Sequence, residues 1–341
     1  MAISNRALQG ALDATVTTHG PGVFGLVTEH GETIFEGAAG VADIARPRLI
    51  TGRDRFRTGS ITKIYVTVVV MQLIDEQVLA LDDTVEVWLP GLVSDGDRIT
   101  VELLLRMRSG LPNYLPDLFG DPPDLAVLAR YWAPTDLVRI ALAAPGRVPA
   151  GTRYRYSSTE YVLLGMIIEK ATGQRIDAQL WQRIFAPLRL DQTSFMSADP
   201  HLRGPHASGY VQVDPASYLE CTTATPSESW TAGAIVSTPH DVAAFLDGLF
   251  DGNLLSPKAL AAMIDCREII DAQRARGLGM VRYTFGPDTV AYGHQGALAG
   301  FTGVVMRTTA GRCVILYQNC YDVASPLPYN PPFVELACSA K

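Results

Sequence analysis

The sequence predicts an α+β fold in which an antiparallel sheet, flanked by helices from the N- and C-termini, carries an inserted, mainly helical lobe. Three observations lead there: paired β-like runs near both ends of the chain, helical periodicity through the middle, and one amphipathic stretch at each terminus. Residues 1–20 space their apolar positions as an amphipathic helix does. Residues 23–28 and 33–37 then read as strands joined by Glu29-His30-Gly31, a hairpin signal. From Ser60 to about Gln77 apolar residues recur all round a helix, which places that helix in the core. Between about residues 100 and 197, helical patterns alternate with loops rich in Pro, Gly and Asp. Residues 302–307 and 312–318 are β-rich and flank the turn Thr309-Ala310-Gly311, and residues 333–340 suggest a closing helix. Strands at both ends imply that the termini share one sheet. The expected organisation is a single domain over 1–341, with a sheet lobe at about 1–80 and 230–341 and a helical lobe at about 81–229. Ligand sites favour such lobe junctions.

Composition narrows the function classes. With 341 residues, 48% hydrophobic and 18% charged, the chain can fill a sizeable core, which excludes a disordered protein. The net charge of -7 comes with no run of Lys or Arg, so nucleic acid and anionic membrane have no electrostatic footprint, and a small-molecule partner fits better. The first twenty residues hold no apolar run of signal-peptide length, and the longest apolar stretch, 64–74, falls well short of the roughly 20 residues that span a bilayer. Five cysteines, odd in number and without a CxxC pair, disfavour both a disulfide framework and a structural zinc site. A reduced, cytoplasmic setting is expected. Among 28 basic residues only Lys63, Lys170, Lys258 and Lys341 are lysines, so a lysine inside a motif is informative.

Ser60-Ile61-Thr62-Lys63 is such a motif, an S-x-x-K at the start of the apolar helix. Residues at i and i+3 lie on one helix face, so the lysine can reach the hydroxyl. Ile61, Ile64, Val66 and Val70 would desolvate Lys63, disfavouring its charged form and making it a base near neutral pH. A second element is Tyr154-Arg155-Tyr156-Ser157-Ser158, where a loop tyrosine could relay a proton to a leaving group; a packed structural tyrosine is the plainer reading. A third is Tyr292-Gly293-His294-Gln295-Gly296-Ala297, a Gly-rich stretch entering a strand, in which Gly admits a close ligand and His294 offers a donor or a cation.

Together, in this order and spacing, the three elements resemble the class C β-lactamases and serine DD-peptidases with their esterase and transacylase relatives. Supporting phrases are Arg108-Ser109-Gly110-Leu111-Pro112, Pro187-Leu188-Arg189-Leu190, and residues 231–238 beginning Thr231-Ala232-Gly233. The resemblance implies the β-lactamase/transpeptidase-like fold and a single catalytic domain. It makes Ser60 the acylated nucleophile, Lys63 its activator and Tyr156 the general base and acid. It puts His294 in the place of the first residue of the Lys-Thr-Gly or His-x-Gly triplet and leaves Gly296 to keep the strand open. The backbone N–H groups of Ser60 and Ala297 would form the oxyanion hole, and Ser158, Gln295, Gly296 and Trp230 would contact substrate. No metal or organic cofactor is implied. Two departures stand out: Ser158 replaces the Asn of the usual Tyr-x-Asn, losing an amide's separate donor and acceptor, and His294-Gln295 replaces Lys-Thr, weakening the positive charge offered to a substrate carboxylate.

The resulting expectation is a serine acyl-enzyme hydrolase or acyltransferase acting on a small-molecule ester or amide, with water or an amine as acceptor. An amide-forming transacylase of specialised metabolism is one form of it. The alternatives are a β-lactamase or D-alanyl-D-alanine carboxypeptidase, and a non-catalytic binding protein that keeps the fold. Solvated loop positions account for His201 and His206, and for the acidic trio Asp117, Asp121 and Asp124, which lacks calcium-loop spacing.

Overall fold

A computed structural model describes residues 4–120, 124–214, 217–322 and 331–339. Asp121, Ala340 and Lys341 lie outside the described residues. The main sheet has eight strands, all paired antiparallel. In spatial order they are Glu32–Gly40, Gly22–Glu29, Arg312–Gln318, Phe301–Thr308, Thr289–Leu298, Val281–Phe285, Arg274–Arg276 and Glu268–Ile269. The N-terminal hairpin thus pairs with C-terminal strands, in the register Val23↔Gln318 to Glu29↔Arg312. Its turn is made by His30 and Gly31, both in the left-handed region.

Strand periodicity explains the layering, since successive side chains point to opposite faces. On one face Val23, Val27, Val304, Met306, Val314 and Leu316 pack with Leu8 and Leu12 of the helix Asn5–His19 and with Phe333 and Val334 of the closing helix Pro332–Ser339. On the other face Phe24, Leu26, Phe301, Val305, Ile315 and Tyr317 join a cluster that includes Ile64 and Val68 of the helix Thr62–Asp75 and Phe245 of Pro239–Phe250. The three central strands are therefore buried almost throughout. A side chain at Gly25 would come within 2.5 Å of the Phe333 ring, so only glycine lets the closing helix lie this close.

The same cluster continues into the helical part, through Leu104, Val138 and Leu163. There Thr159–Thr172 packs against Val101–Leu105, Pro134–Ala143 and Thr62–Asp75. Helix Thr62–Asp75 is buried nearly all round, as the unbroken apolar pattern predicts, but it is preceded by a 3-10 turn, Gly59–Ile61. Among the described residues no helix is long and apolar enough to cross a membrane, and no cluster of metal-binding side chains occurs.

Candidate active site

The turn Gly59–Ile61 lies against the inner strand Thr289–Leu298. Gly59 has φ +53°, and a Cβ there would stand 2.6 Å from the backbone nitrogen of Ala297. A Cβ at Gly296 would collide with the carbonyl oxygen of Thr58. Two glycines thus let the backbone carrying Ser60 touch the strand carrying His294, Gln295 and Ala297. Behind the turn, Thr58 N–H donates to Ile235 O (2.9 Å), tying it to the strand Ile235–Ser237.

Ser60 Oγ lies 2.9 Å from Lys63 Nζ and 2.7 Å from the Tyr156 hydroxyl. Lys63 is wholly buried and also donates to Ala232 O (2.8 Å), which accounts for the Thr231-Ala232-Gly233 phrase. Burial, reinforced by the nearby Arg276 charge and opposed by Glu160, holds the Lys63 ammonium well below the usual lysine range. Burial pushes the Tyr156 phenol up, against the pull of Arg276 and the bond to Ser60. An amine whose charged form burial disfavours and a phenol whose proton burial retains therefore converge on one hydroxyl.

Tyr156 is placed by a zipper between two loops. Arg155 N–H donates to Met107 O (2.9 Å), while Ser157 Oγ and Thr159 Oγ1 both donate to Pro112 O. Glu160, fully buried, accepts from Ser109 N–H (2.9 Å) and from the Ser109 hydroxyl. Burial raises the Glu160 carboxyl to about 8, with the Ser109 bonds, Arg276 and Lys63 pulling the other way.

His294 stands at the cleft wall rather than on Ser60. Its Nδ1 contacts Gln295 O, and its Nε2 is 3.2 Å from Arg276 Nη1. A guanidinium only donates, so Nε2 accepts and Nδ1 carries the proton: the ring is neutral. Burial first, then the charges of Arg276 and Lys63, keep it so, well below the ordinary histidine range. Of the two roles read for His294, donor or cation, the neutral ring leaves the cation unfilled, and the positive charge at the cleft wall is carried by Arg276, on the strand Arg274–Arg276. Arg276 is 1% exposed, and its Nε and Nη2 have no acceptor among the described residues. Sequence reasoning missed it, because nothing marks one arginine among twenty-four. Glu160 was missed for the same reason, its partner Ser109 being 51 residues away.

The cleft over Ser60 is a cavity of about 310 Å³ whose walls include Leu115, Tyr154, Tyr156, Ile270, Arg276, Tyr283, His294, Gln295, Gly296, Ala297 and Tyr321. Ser60, Tyr156, His294, Gln295, Gly296 and Ala297 of the expected site residues all line it, with Lys63 behind Ser60. Ser158 and Trp230 do not. Ser158 is buried, its N–H donating to Asn113 Oδ1 (3.2 Å). Trp230 is buried against the helix Thr159–Thr172, where a Cβ on Gly165 would come within 2.8 Å of its ring. His201 pairs with Asp199 and His206 with Gly204 O, both outside the cleft. Asp124 caps the short helix Leu125–Ala129.

Comparison with known proteins finds similar chains. Esterase EstB of Burkholderia gladioli is 31% identical over 189 residues, 52% of this chain and 48% of its own length. The chain spans about half the length of the curated relatives it first matches. Two similar solved structures cover it almost entirely. A D-stereospecific amidohydrolase from a Streptomyces species has 31% identity and a TM-score of 0.85, covering 93% of this chain and 94% of the other. The D-amino acid amidase of Ochrobactrum anthropi SV3, in complex with D-phenylalanine, has 28% identity and a TM-score of 0.85, covering 97% of each. The family model described as Beta-lactamase matches residues 7–338, and the chain that brings Ser60, Lys63 and Tyr156 together at the foot of this cleft belongs to that family.

Proposed function

We propose that the protein is a serine acyl-enzyme hydrolase or acyltransferase acting on small-molecule esters or amides. The observation that carries this is the single Ser60 hydroxyl held between the Lys63 amine and the Tyr156 phenol. Lys63, whose neutral form burial favours, takes the Ser60 proton as Oγ bonds to the substrate carbonyl carbon. The oxyanion forms beside the turn and the inner strand, where the N–H groups of Ser60 and Ala297 stabilise it. Tyr156 gives its proton to the leaving oxygen or nitrogen as the carbonyl–leaving-group bond breaks, and Lys63 returns its proton to Tyr156. Water, or an amine in the transacylase form, then attacks the acyl-enzyme, and the same proton path runs in reverse. Apolar and aromatic walls at Leu115, Tyr154, Ile270 and Tyr283 suit an aromatic or aliphatic acyl group.

The test is turnover of p-nitrophenyl esters and D-amino acid amides by the wild type, Ser60→Ala and Tyr156→Phe. Loss of turnover in Ser60→Ala and a drop of 10²-fold or more in Tyr156→Phe are expected, the range of a positioned proton donor. Full turnover by Ser60→Ala overturns the reading.

One observation favours the carboxypeptidase or β-lactamase alternative. Among the described residues the buried, cavity-lining Arg276 guanidinium finds no acceptor for its Nε and Nη2 donors, and a substrate carboxylate beside the scissile bond would satisfy them. On that reading Arg276→Met loses far more activity on a carboxylate-bearing depsipeptide than on its methyl ester, and equal losses refute it.

A further inference from the structure

Three strands form one row across the cleft wall, because Val281 pairs with Arg276 on one side and with Gly293 on the other. The Arg276 side chain reaches over that row to the inner strand, where its Nη1 donates to His294 Nε2 (3.2 Å). The imidazole passes the contact on, since its Nδ1–H donates to Gln295 O. Both ring nitrogens are therefore engaged within the protein, and neither is left for Ser60. The bonds end on the strand segment that the reaction uses. Pairing of Val281–Phe285 with the inner strand stops at Gly293, so from His294 onward that edge has no neighbouring strand among the described residues. On the opposite edge Gln295, Gly296 and Ala297 stay paired with Val304, Gly303 and Thr302.

We propose that His294 is a positioning residue: by bridging Arg276 to the Gln295 carbonyl it splints the open edge of the inner strand and aims the Ala297 N–H at the oxyanion. Only the ring protonated on Nδ1 alone can do this, because a proton on Nε2 would face a guanidinium whose nitrogens only donate. The charged and titratable groups facing the ring are Arg276 from its strand, Lys63 from helix Thr62–Asp75 and Tyr156 from its loop, the Tyr156 and His294 ring centroids lying 6.4 Å apart. No carboxylate of the described residues lines the cleft to favour an imidazolium. A strand splinted at this edge presents its N–H before the substrate arrives, so little reorganisation is needed as the oxyanion forms.

The inference rests on the acyl-enzyme reading, and two readouts separate them. The first needs no turnover. Nitrogen-15 spectra of histidine-labelled protein, with His294→Asn to assign the signal, are expected to show the His294 ring protonated at Nδ1 and bare at Nε2 from about pH 6 to about pH 9. A proton on Nε2 in that range overturns the proposal. The second is kinetics on p-nitrophenyl butanoate, whose acyl group carries no carboxylate for Arg276, with each variant read at the plateau of its own pH profile so that a shifted Lys63 does not count. His294→Phe removes the donor to Gln295 and is expected to lose about tenfold in kcat, as for one hydrogen bond, with KM changed less than about twofold. His294→Asn, whose amide can donate from the Nδ1 position, is expected to recover most of that loss. Arg276→Met added to His294→Phe is expected to cost less than about twofold more, because the two residues act as one unit. A loss confined to KM, additive losses, or an Asn variant no better than Phe would overturn the proposal. A wild type that turns over no ester refutes the acyl-enzyme reading instead, and the spectrum then judges the ring by itself.

Discussion

Burial of an ionisable group is the property shared by the residues that matter most around Ser60. Lys63, Arg276, His294 and Glu160 are all withdrawn from water, and each responds as its chemistry allows: burial shifts the amine and imidazole toward their neutral forms and the carboxyl toward its protonated form, while the guanidinium stays charged. For Glu160 this has a measurable sign. Its folded-state value of about 8 lies above the ordinary 4.5, so the native protein holds a proton that the unfolded chain releases between those values. That contribution is complete below about pH 4.5 and fades as pH rises through 8. Glu160→Gln, neutral throughout and still an acceptor for Ser109, is expected to lose less thermal midpoint than the wild type between pH 5 and pH 9. A wild-type slope unchanged in the variant contradicts the burial account. The spacing of Ser60 and Lys63, and the phrases around Tyr156 and His294, marked these residues in the sequence because the motifs are local. Arg276 and Glu160 were not legible, because their significance lies only in side chains 18 to 51 positions away.

At the scale of elements, regular alternation was readable and irregular backbone was not. The hairpin expected at 23–28 and 33–37 and the strands at 302–307 and 312–318 appear within a few residues of those bounds, since β-branched and aromatic residues dominate them. The strand Arg274–Arg276 escaped notice, and Val281–Phe285 fell within the β-rich text beyond about Gly277 without being singled out, both being short and separated by Gly277 and Gly279. The inner strand Thr289–Leu298 read only as a Gly-rich stretch. Its glycines are the reason it can serve the site. Gly296→Ala drives a methyl into the Thr58 carbonyl and must push the strand from the Ser60 turn. Kinetics on a p-nitrophenyl ester should show a loss of 10²-fold or more, as a displacement of about 1 Å can cause. Urea unfolding should show a penalty of about 1–3 kcal/mol. Unchanged kcat/KM would mean that the close approach is not required.

Across the whole molecule, the two ends of the chain close one sheet, and a single apolar cluster runs from the sheet through helix Thr62–Asp75 into the helical part. We therefore expect one cooperative unfolding transition for the chain, with tryptophan fluorescence and far-ultraviolet dichroism coinciding. The closing helix is held by Phe333, whose ring fills the groove over Gly25 and Leu12. Phe333→Ala should cost about 3–5 kcal/mol in urea unfolding, the range for an aromatic deleted from a core, while leaving Ser60 and Lys63, which sit on the other face of the sheet, in place. A cost below about 1 kcal/mol would show that the terminus is not part of the core.

The central claim is that Ser60, activated by Lys63 and Tyr156, becomes acylated. Intact-mass spectrometry after brief exposure to an activated p-nitrophenyl ester, followed by peptide mapping, tests it directly. The account predicts one added acyl group on the peptide containing Ser60, absent from Ser60→Ala and slow to form in Lys63→Ala. Acylation at another residue, or ester turnover with an adduct-free Ser60 under rapid quench, contradicts it.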